Sequence, residues 1–205
     1  MKRIETIASL IKPYTKIADI GCDHGFVIKY GIDKCGVQLA YAIDNKSGPL
    51  NNAKSVLKGY RQVKFFLSNG IEKVDKNIEV VIIAGMGGYL IQNILTENFE
   101  NLKLVKKIIV GANRDSDLIR NFLNKNGYII NNEKMIFEDG KYYEIDSFEK
   151  GTVIYTNKQI EYGPIFLKEK SDIFLNKWSQ VYNKYKSLEN FADKNKLVEL
   201  EELLK

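Results

Sequence analysis

The chain has 205 residues, 44% of them hydrophobic, which suits one α/β domain of ordinary size plus a small appendage and excludes disorder as its main state. No apolar run approaches the roughly 20 residues needed to span a bilayer, and Met1–Lys12 is broken by Lys, Arg and Glu rather than laid out as a signal peptide. The net charge of +5 is compatible with a polyanionic partner, and two cysteines, Cys22 and Cys35, are too few for a disulfide scaffold or a Cys-rich zinc site, so the chain reads as cytoplasmic.

In chain order, Ile4, Ile7, Ala8, Leu10 and Ile11 recur at helical spacing and Pro13 ends the run, which predicts a helix covering one edge of the domain. The stretch Lys16–Phe26 organises the rest of the chain. A short apolar strand, Ile17–Ile20, runs into Gly21, Asp23, His24 and Gly25, and a helical pattern continues from Phe26 to about Gly36. Strand, glycine turn and helix make the first half of a βαβ nucleotide-binding unit. Gly21 frees the turn, and Gly25 lets the helix pack close to the strand. A dinucleotide loop brings bare backbone against a pyrophosphate at the helix N-terminus. Here Asp23 holds that approach and would repel it. An acidic loop suits a ligand that is cationic or carries an ammonium group, and S-adenosylmethionine meets both descriptions. The same residues also read as a tight turn with a capping Asp.

Leu39–Asp44 is a second strand ending on an acid, and Asp44 lies 25 residues beyond Asp19, near the separation at which a Rossmann unit places its ribose-binding carboxylate. Such a carboxylate accepts from both ribose hydroxyls. Alternatively Asp44 caps the helix that begins after Asn45. That helix covers Gly48–Tyr60, with Leu50, Ala53, Val56 and Leu57 on one face. A third strand, Val63–Leu67, ends at Ser68-Asn69-Gly70. The Asn69 carbonyl can meet an adenine amine, or Asn69 is simply a turn former.

Val80–Ile83 is four β-branched residues in a row, a strand buried on both faces. It opens into Ala84-Gly85-Met86-Gly87-Gly88, followed by a helix through Leu90, Ile91, Ile94 and Leu95. In an open α/β sheet the ligand lies beyond the carboxyl ends of the strands at the switch in strand order. Gly25 and Gly85–Gly88 are expected to face each other there, with Met86 packing on a base or a sulfonium. Lys107–Val110 is the fifth strand, ending at Gly111-Ala112-Asn113, and its helix buries Leu118, Ile119, Phe122 and Leu123. Tyr128–Ile130, Lys134–Phe137 and Tyr142–Ile145 then alternate around a hairpin turn at Asp139-Gly140. The predicted fold is α/β: a mostly parallel Rossmann-like sheet of the class I methyltransferase type, with an antiparallel closing pair.

After Gly151 the periodicity is helical. Phe174, Trp178, Val181, Tyr185, Leu188 and Ala192 form a coiled-coil seam, Asp193–Lys196 interrupts it, and Leu197, Leu200 and Leu204 continue it, which predicts a helical hairpin. The expected organisation is a cofactor-binding domain at 1–150 and a small helical unit at 151–205. Lys168, Lys170, Lys177, Lys184 and Lys186 decorate that unit, as a solvated surface or as phosphate contacts.

Four stretches carry a family resemblance: Asp19-Ile-Gly-Cys-Asp-His-Gly25, Ile83-Ala-Gly-Met-Gly-Gly88, Glu138-Asp-Gly-Lys-Tyr-Tyr-Glu144 and Tyr162-Gly-Pro164. Over nearly its whole length the chain resembles the bacterial tRNA (adenine-22-N1)-methyltransferases. The resemblance implies S-adenosyl-L-methionine as cofactor, tRNA as partner, and methylation of adenine N1 in the D-arm region. It draws Asp19, Gly21, Cys22, Asp23, His24, Gly25, Asp44, Asn45, Asn69, Gly70, Ala84, Gly85, Met86 and Gly87 to the cofactor. Met86, Gly88, Lys168, Lys170, Lys177 and Lys184 go to the substrate, the lysines on a tRNA-holding arm. The chain departs from the family in two places: Asn69-Gly70 stands for Asp-Gly, and Val110-Gly-Ala-Asn113 for Leu-Gln-Pro-Asn.

Adenine N1 is a neutral nucleophile and the methyl of a sulfonium is already activated, so catalysis is mostly positioning. Methylation leaves positive charge on the ring, and Asp23 is the acid placed to stabilise it, with Asn113 as the retained wall residue. His24 orients Asp23, contacts the cofactor, or hydrogen-bonds the turn backbone. No metal is expected, and a monomer is. Two other readings stay open: an inactive tRNA- or nucleotide-binding protein keeping the fold, and a nicotinamide-dependent oxidoreductase, which Asp23 disfavours.

Overall fold

A computed structural model describes residues 2–187 and 193–205. The first helix is α1 (Lys2–Ser9). Alternation then gives β1 (Lys16–Ile20), α2 (Phe26–Cys35), β2 (Leu39–Asp44), α3 (Ser47–Val56), β3 (Val63–Leu67), β4 (Val80–Met86) and α4 (Gly88–Glu97). A one-turn α5 (Phe99–Leu102) leads to β5 (Lys107–Ala112), α6 (Ser116–Lys125), β6 (Tyr128–Glu138) and β7 (Lys141–Lys150). The seven strands form one sheet in the order β3-β2-β1-β4-β5-β7-β6. Neighbours from β3 through β5 are parallel, and β7 runs antiparallel between β5 and β6. Strand order reverses between β1 and β4, which opens a crevice beyond their carboxyl ends.

The runs of Ile, Val and Ala become central strands because helices cover both faces, and every residue of Val80–Ile83 is fully buried. One face packs Ile83, Ile91, Leu95, Ile119, Leu123 and Phe148. On the other, α1 reaches further than an edge cover: Ile7 and Ile11 join Ile17, Ile28, Ile82, Ile109 and Ile145 in a single cluster. The closing pair is a long hairpin. Its turn residues, Asp139 (φ 50°) and Gly140 (φ 74°), are both left-handed, as a tight two-residue hairpin turn requires. The two apolar patches predicted at 128–130 and 134–137 are one continuous strand with an irregularity between Ile130 and Asn132.

Among the described residues the chain continues with the helices α7 (Asn157–Tyr162), α8 (Pro164–Glu169), α9 (Asp172–Ser187) and α10 (Lys194–Leu204). Thr156 begins α7 with a reciprocal capping box to Gln159. The Asp193 side chain accepts from the N–H groups of Asn195 and Lys196 to start α10, so the predicted interruption is a helix cap. Phe174 is buried, and Trp178, Val181 and Tyr185 pack beside it. In α10 the buried residues are Leu200 and Leu203 rather than Leu204. Leu188 and Ala192 lie outside the described residues.

These helices share a core with the sheet through Met135 and Tyr142 of the hairpin. A buried polar cluster reinforces that junction. Arg120 of α6, with no exposed surface, donates to Asp146 Oδ2 at 2.9 Å, to Glu144, and to the carbonyls of Ile160 and Glu161 at 3.2 and 3.0 Å. Glu133 Oε2 accepts from the backbone N–H groups of Ile165 (2.6 Å) and Phe166 (3.2 Å), capping α8 from a strand. Any side chain at Gly163 would strike the Glu133 carboxylate, and Pro164 supplies the first residue of α8. That accounts for Tyr162-Gly-Pro164 in structural terms.

Candidate active site

The crevice at the strand switch holds a cavity of about 700 Å³. Its floor is acidic. Asp19, one residue before the end of β1, is 4% exposed, and Asp44, the last residue of β2, is 8% exposed. Burial pushes the Asp19 carboxyl up to about 7, and the nearby Asp44 and Asp23 add to the rise. Asp44 does not cap α3, whose N-cap is Lys46. Its Oδ1 instead accepts from the Lys46 N–H at 2.9 Å and its Oδ2 from the Asp23 N–H at 3.5 Å, which leaves lone pairs facing the cavity rim.

Asp23 takes the left-handed conformation (φ 45°) and is exposed, with its carboxylate 3.7 Å from His24 Nε2. The His24 ring stacks on Phe26 at 5.4 Å. The turn between them and β1 is fixed by the N–H groups of Gly21 and Cys22, which both donate to the Ile43 carbonyl, at 2.8 and 3.1 Å. Burial raises the Cys22 thiol far above its ordinary range, so it is a packing group.

Asp19, Gly21, Cys22, Asp23, His24, Asp44, Asn45, Ala84, Gly85 and Met86 all line this one cavity. Gly25 does not, contrary to its expected place facing the glycine loop. A Cβ on it would lie 2.7 Å from Leu57 Cδ1, so the glycine makes room for the segment after α3 rather than for the strand or the crevice. The facing pair is Gly21 and Met86. Gly88 is buried, its missing side chain replaced by the Asp115 carbonyl, and its N–H donates to the Arg114 carbonyl at 3.0 Å. It is turned from the crevice toward the β5–α6 loop, and Gly87 lies beside Arg114. Asn69 is exposed outside the lining, and Gly70 packs on Ile94.

Asn113 is tied to the glycine loop: its Nδ2 donates to the Gly85 carbonyl and its backbone N–H to the Met86 carbonyl, both at 2.8 Å. Lys168 and Lys184 are exposed, and Lys170 terminates α8 in a left-handed conformation. Lys177 differs from these three, because its Nζ pairs with Glu144 and lies 4.5 Å from the centre of the Trp178 ring.

Sequence reasoning missed part of the cavity wall. Arg3, Ile4 and Ile7 of α1, Leu90 of α4 and Glu138 at the hairpin tip all line it. The Arg3 guanidinium lies 4.8 Å over the Tyr143 ring, and its backbone N–H donates to Glu138 Oε2 at 3.4 Å. No spacing rule points there, since α1 and the hairpin, distant in sequence, come into contact only once the sheet has formed. Among the described residues no group of three or more His, Cys, Asp or Glu is placed to hold a metal ion, and no helix is long and apolar enough to cross a membrane.

A reversed-order sheet with an acidic crevice at the ends of β1 and β2 and a glycine loop after β4 defines a Rossmann-like methyltransferase of class I. Within that class the chain belongs to the tRNA (adenine(22)-N(1))-methyltransferase family, whose model matches residues 17–205. It is 33% identical to the Bacillus subtilis (strain 168) tRNA (adenine(22)-N(1))-methyltransferase, covering 97% of this chain and 91% of that protein. Sp1610 of Streptococcus pneumoniae, solved with S-adenosyl-L-methionine, superposes with a TM-score of 0.93 at 28% identity, covering 100% of this chain and 99% of that one. The M. capricolum protein TrmK, solved with S-adenosyl-homocysteine, gives 0.83 at 26% identity, with 100% and 94% covered.

Proposed function

We propose that this protein transfers a methyl group from S-adenosyl-L-methionine to N1 of adenine 22 in tRNA. The observation that carries the reading is the trio of carboxylates, Asp19, Asp23 and Asp44, gathered on one rim of a cavity with few cations. A buried carboxyl raised to about 7 by burial and acidic neighbours is short of a positive partner. The cofactor's ammonium and sulfonium supply that charge, so the donor set fits. When bound, S-adenosylmethionine supplies a methyl already activated for transfer.

Each residue then has a task. Asp44 accepts from the ribose hydroxyls, with Asn45 beside it. Asp19 and Asp23 face the cationic portion, while Gly21, Gly85 and Met86 keep the middle of the crevice narrow. Across the sheet, at the end away from β2, Arg3 faces the amino-acid carboxylate. Asn69 and Gly70, at the end of β3, serve the adenine edge from outside the lining. Asp23 stabilises the charge that develops on the acceptor ring, and Asn113 fixes the wall through Gly85. Residues 1–150 act as the cofactor domain and 151–205 as the tRNA-holding unit, with Lys168, Lys170 and Lys184 on phosphates. The protein works as a cytoplasmic monomer, which sedimentation with and without tRNA checks.

The deciding experiment is methyl transfer from labelled S-adenosylmethionine to unmodified tRNA, with the product mapped by mass spectrometry. N1-methyladenosine at position 22, absent when that adenine is replaced by guanine, is the expected result. No transfer, or transfer elsewhere, overturns the reading.

A further inference from the structure

A second cavity, of about 230 Å³, opens on the other side of Asn113. Asn113 is a partition. It lines the smaller cavity, while the two carbonyls it binds belong to Gly85 and Met86, which line the larger one. The smaller space is enclosed by Asp117, in the first turn of α6, by Tyr142 and Glu144 of β7, and by Lys177 and Trp178 of α9. At one third of its neighbour's volume it has room for a single ring system and not for a second cofactor-sized molecule.

The charges around it select among ligands. Lys177 is paired with Glu144, which Arg120 also holds, and Arg114 lies 3.5 Å from Asp115. Glu161 is paired with Lys196. Asp117 has no hydrogen bond or ion pair among the described residues, so the charge left over is negative. A phosphate is repelled there. A planar ring bearing an amine suits the carboxylate, and more so once the ring becomes cationic. Trp178 adds an aromatic wall and a buried Nε1–H with no acceptor in the structure.

We infer that the smaller cavity receives the acceptor adenine, unstacked from the RNA, with its exocyclic amine on Asp117 and its ring against Tyr142 and Trp178. This rests on the adenine-methyltransferase activity proposed for the larger cavity. The nucleophilic nitrogen then points toward the larger cavity and Asp23, with Asn113 turning off the Gly85 carbonyl to open the line of transfer, and α9 becomes a wall of the acceptor site rather than only a grip on phosphates.

Trp178 is the chain's single tryptophan, so all indole emission comes from the α9 wall of this cavity. The test compares emission, with S-adenosyl-homocysteine saturating, on adding unmodified tRNA or the same tRNA with an abasic site at position 22, binding of both being followed by filter retention. A change with the intact RNA that the bound abasic RNA does not reproduce, and that S-adenosyl-homocysteine alone does not produce, is expected. Equal changes with both RNAs, or none with either, overturn the assignment. Asp117→Asn is further expected to lower kcat roughly tenfold to a hundredfold at unchanged cofactor affinity. Full turnover in that variant removes Asp117 from the site. The emission comparison decides the cavity whether or not methyl transfer is observed, and the transfer assay separately decides the activity.

Discussion

The methyl carbon of Met86 occupies the place where a side chain on Gly21 would begin, so the turn after β1 and the end of β4 meet across the crevice through a glycine. Gly21 is also left-handed, at φ 70°. Gly21→Ala therefore carries two penalties, a backbone cost of about 1–2 kcal/mol and displacement of Met86 from its place in the crevice. Lower melting temperature and weaker S-adenosylmethionine binding by calorimetry are expected. In Gly21→Ala/Met86→Ala the steric part is relieved and the backbone part persists. Complete recovery in the double variant would show that the left-handed turn carries no cost.

Asp44→Ala removes the carboxylate proposed to accept from the ribose hydroxyls. Each charge-assisted bond lost is worth about 1.5–3 kcal/mol, or roughly tenfold to a hundredfold in cofactor affinity. The backbone N–H groups of Asp23 and Lys46 lose a partner as well, so a melting curve accompanies the titration. Unchanged affinity in a folded variant would sink the ribose assignment.

Asp19 makes both stability and binding depend on pH. Its carboxyl stands at about 7 in the folded chain against the ordinary 3.8, so between those values the folded state holds a proton that the unfolded state has released. That contribution is complete below the lower value and is lost as the pH rises through about 7. A cationic ligand favours the ionised form, so cofactor affinity is expected to strengthen over the interval in which apo-protein stability declines. Calorimetry in buffers of different ionisation enthalpy reads the released proton directly. Asp19→Asn should flatten both profiles, and a wild-type affinity constant across this range would refute the argument.

Much of the fold was legible because its signals are local. The runs at Ile17–Ile20 and Val80–Ile83 are buried strands wherever they occur in an α/β sheet, and Asp139-Gly140 fits few structures besides a hairpin turn. The acidic rim was legible too, since Asp19 and Asp44 lie at the carboxyl ends of adjacent strands. What escaped depends on contacts between distant elements. Gly25 was given the wrong neighbour because Ala53 and Leu57 fold back over it, and Arg3 and Glu138 meet only after the sheet has closed. One signal for the buried polar cluster does lie in the sequence: Arg120 shares the buried face of α6 with Ile119 and Leu123, and a charge on an apolar stripe needs buried partners.

Those partners make Arg120 the most sensitive position in the hairpin junction. Burial would raise Glu144, but Arg120 and Lys177 outweigh it and hold its carboxyl down to about 2, while burial pushes Glu133 and Asp146 up. Arg120→Met takes the cation from Glu133 and Asp146, 3.3 and 2.9 Å from its Nε, and leaves Glu144 with Lys177 alone, a change expected to cost about 3–5 kcal/mol. Urea unfolding followed by circular dichroism measures it, and a loss under about 1 kcal/mol, the size of an exposed pair, would contradict the buried-network account.

Removing residues after Gly151 takes the same junction apart. Arg120 loses the Ile160 and Glu161 carbonyls, Glu133 loses two N–H donors, and Met135 is uncovered. The fragment is expected to melt well below the full chain and to bind S-adenosylmethionine only as far as it stays folded. A fragment with the full-length melting temperature would show the helical unit to be energetically separate.

The position of β7 sets the order in which the polypeptide can be completed as it is made. Because β7 lies between β5 and β6, the β5 strand has no partner on that side until residues 141–150 have been synthesised, and β6 cannot join the sheet before them. A nascent chain ending anywhere between Asn113 and Gly140 therefore carries a buried-type strand, Lys107–Ala112, with one row of backbone donors and acceptors open to any other chain. Stalled chains that have emerged from the ribosome only as far as that interval should show more intermolecular association than chains that have emerged beyond Gly151, and the speed at which the hairpin emerges becomes a determinant of yield.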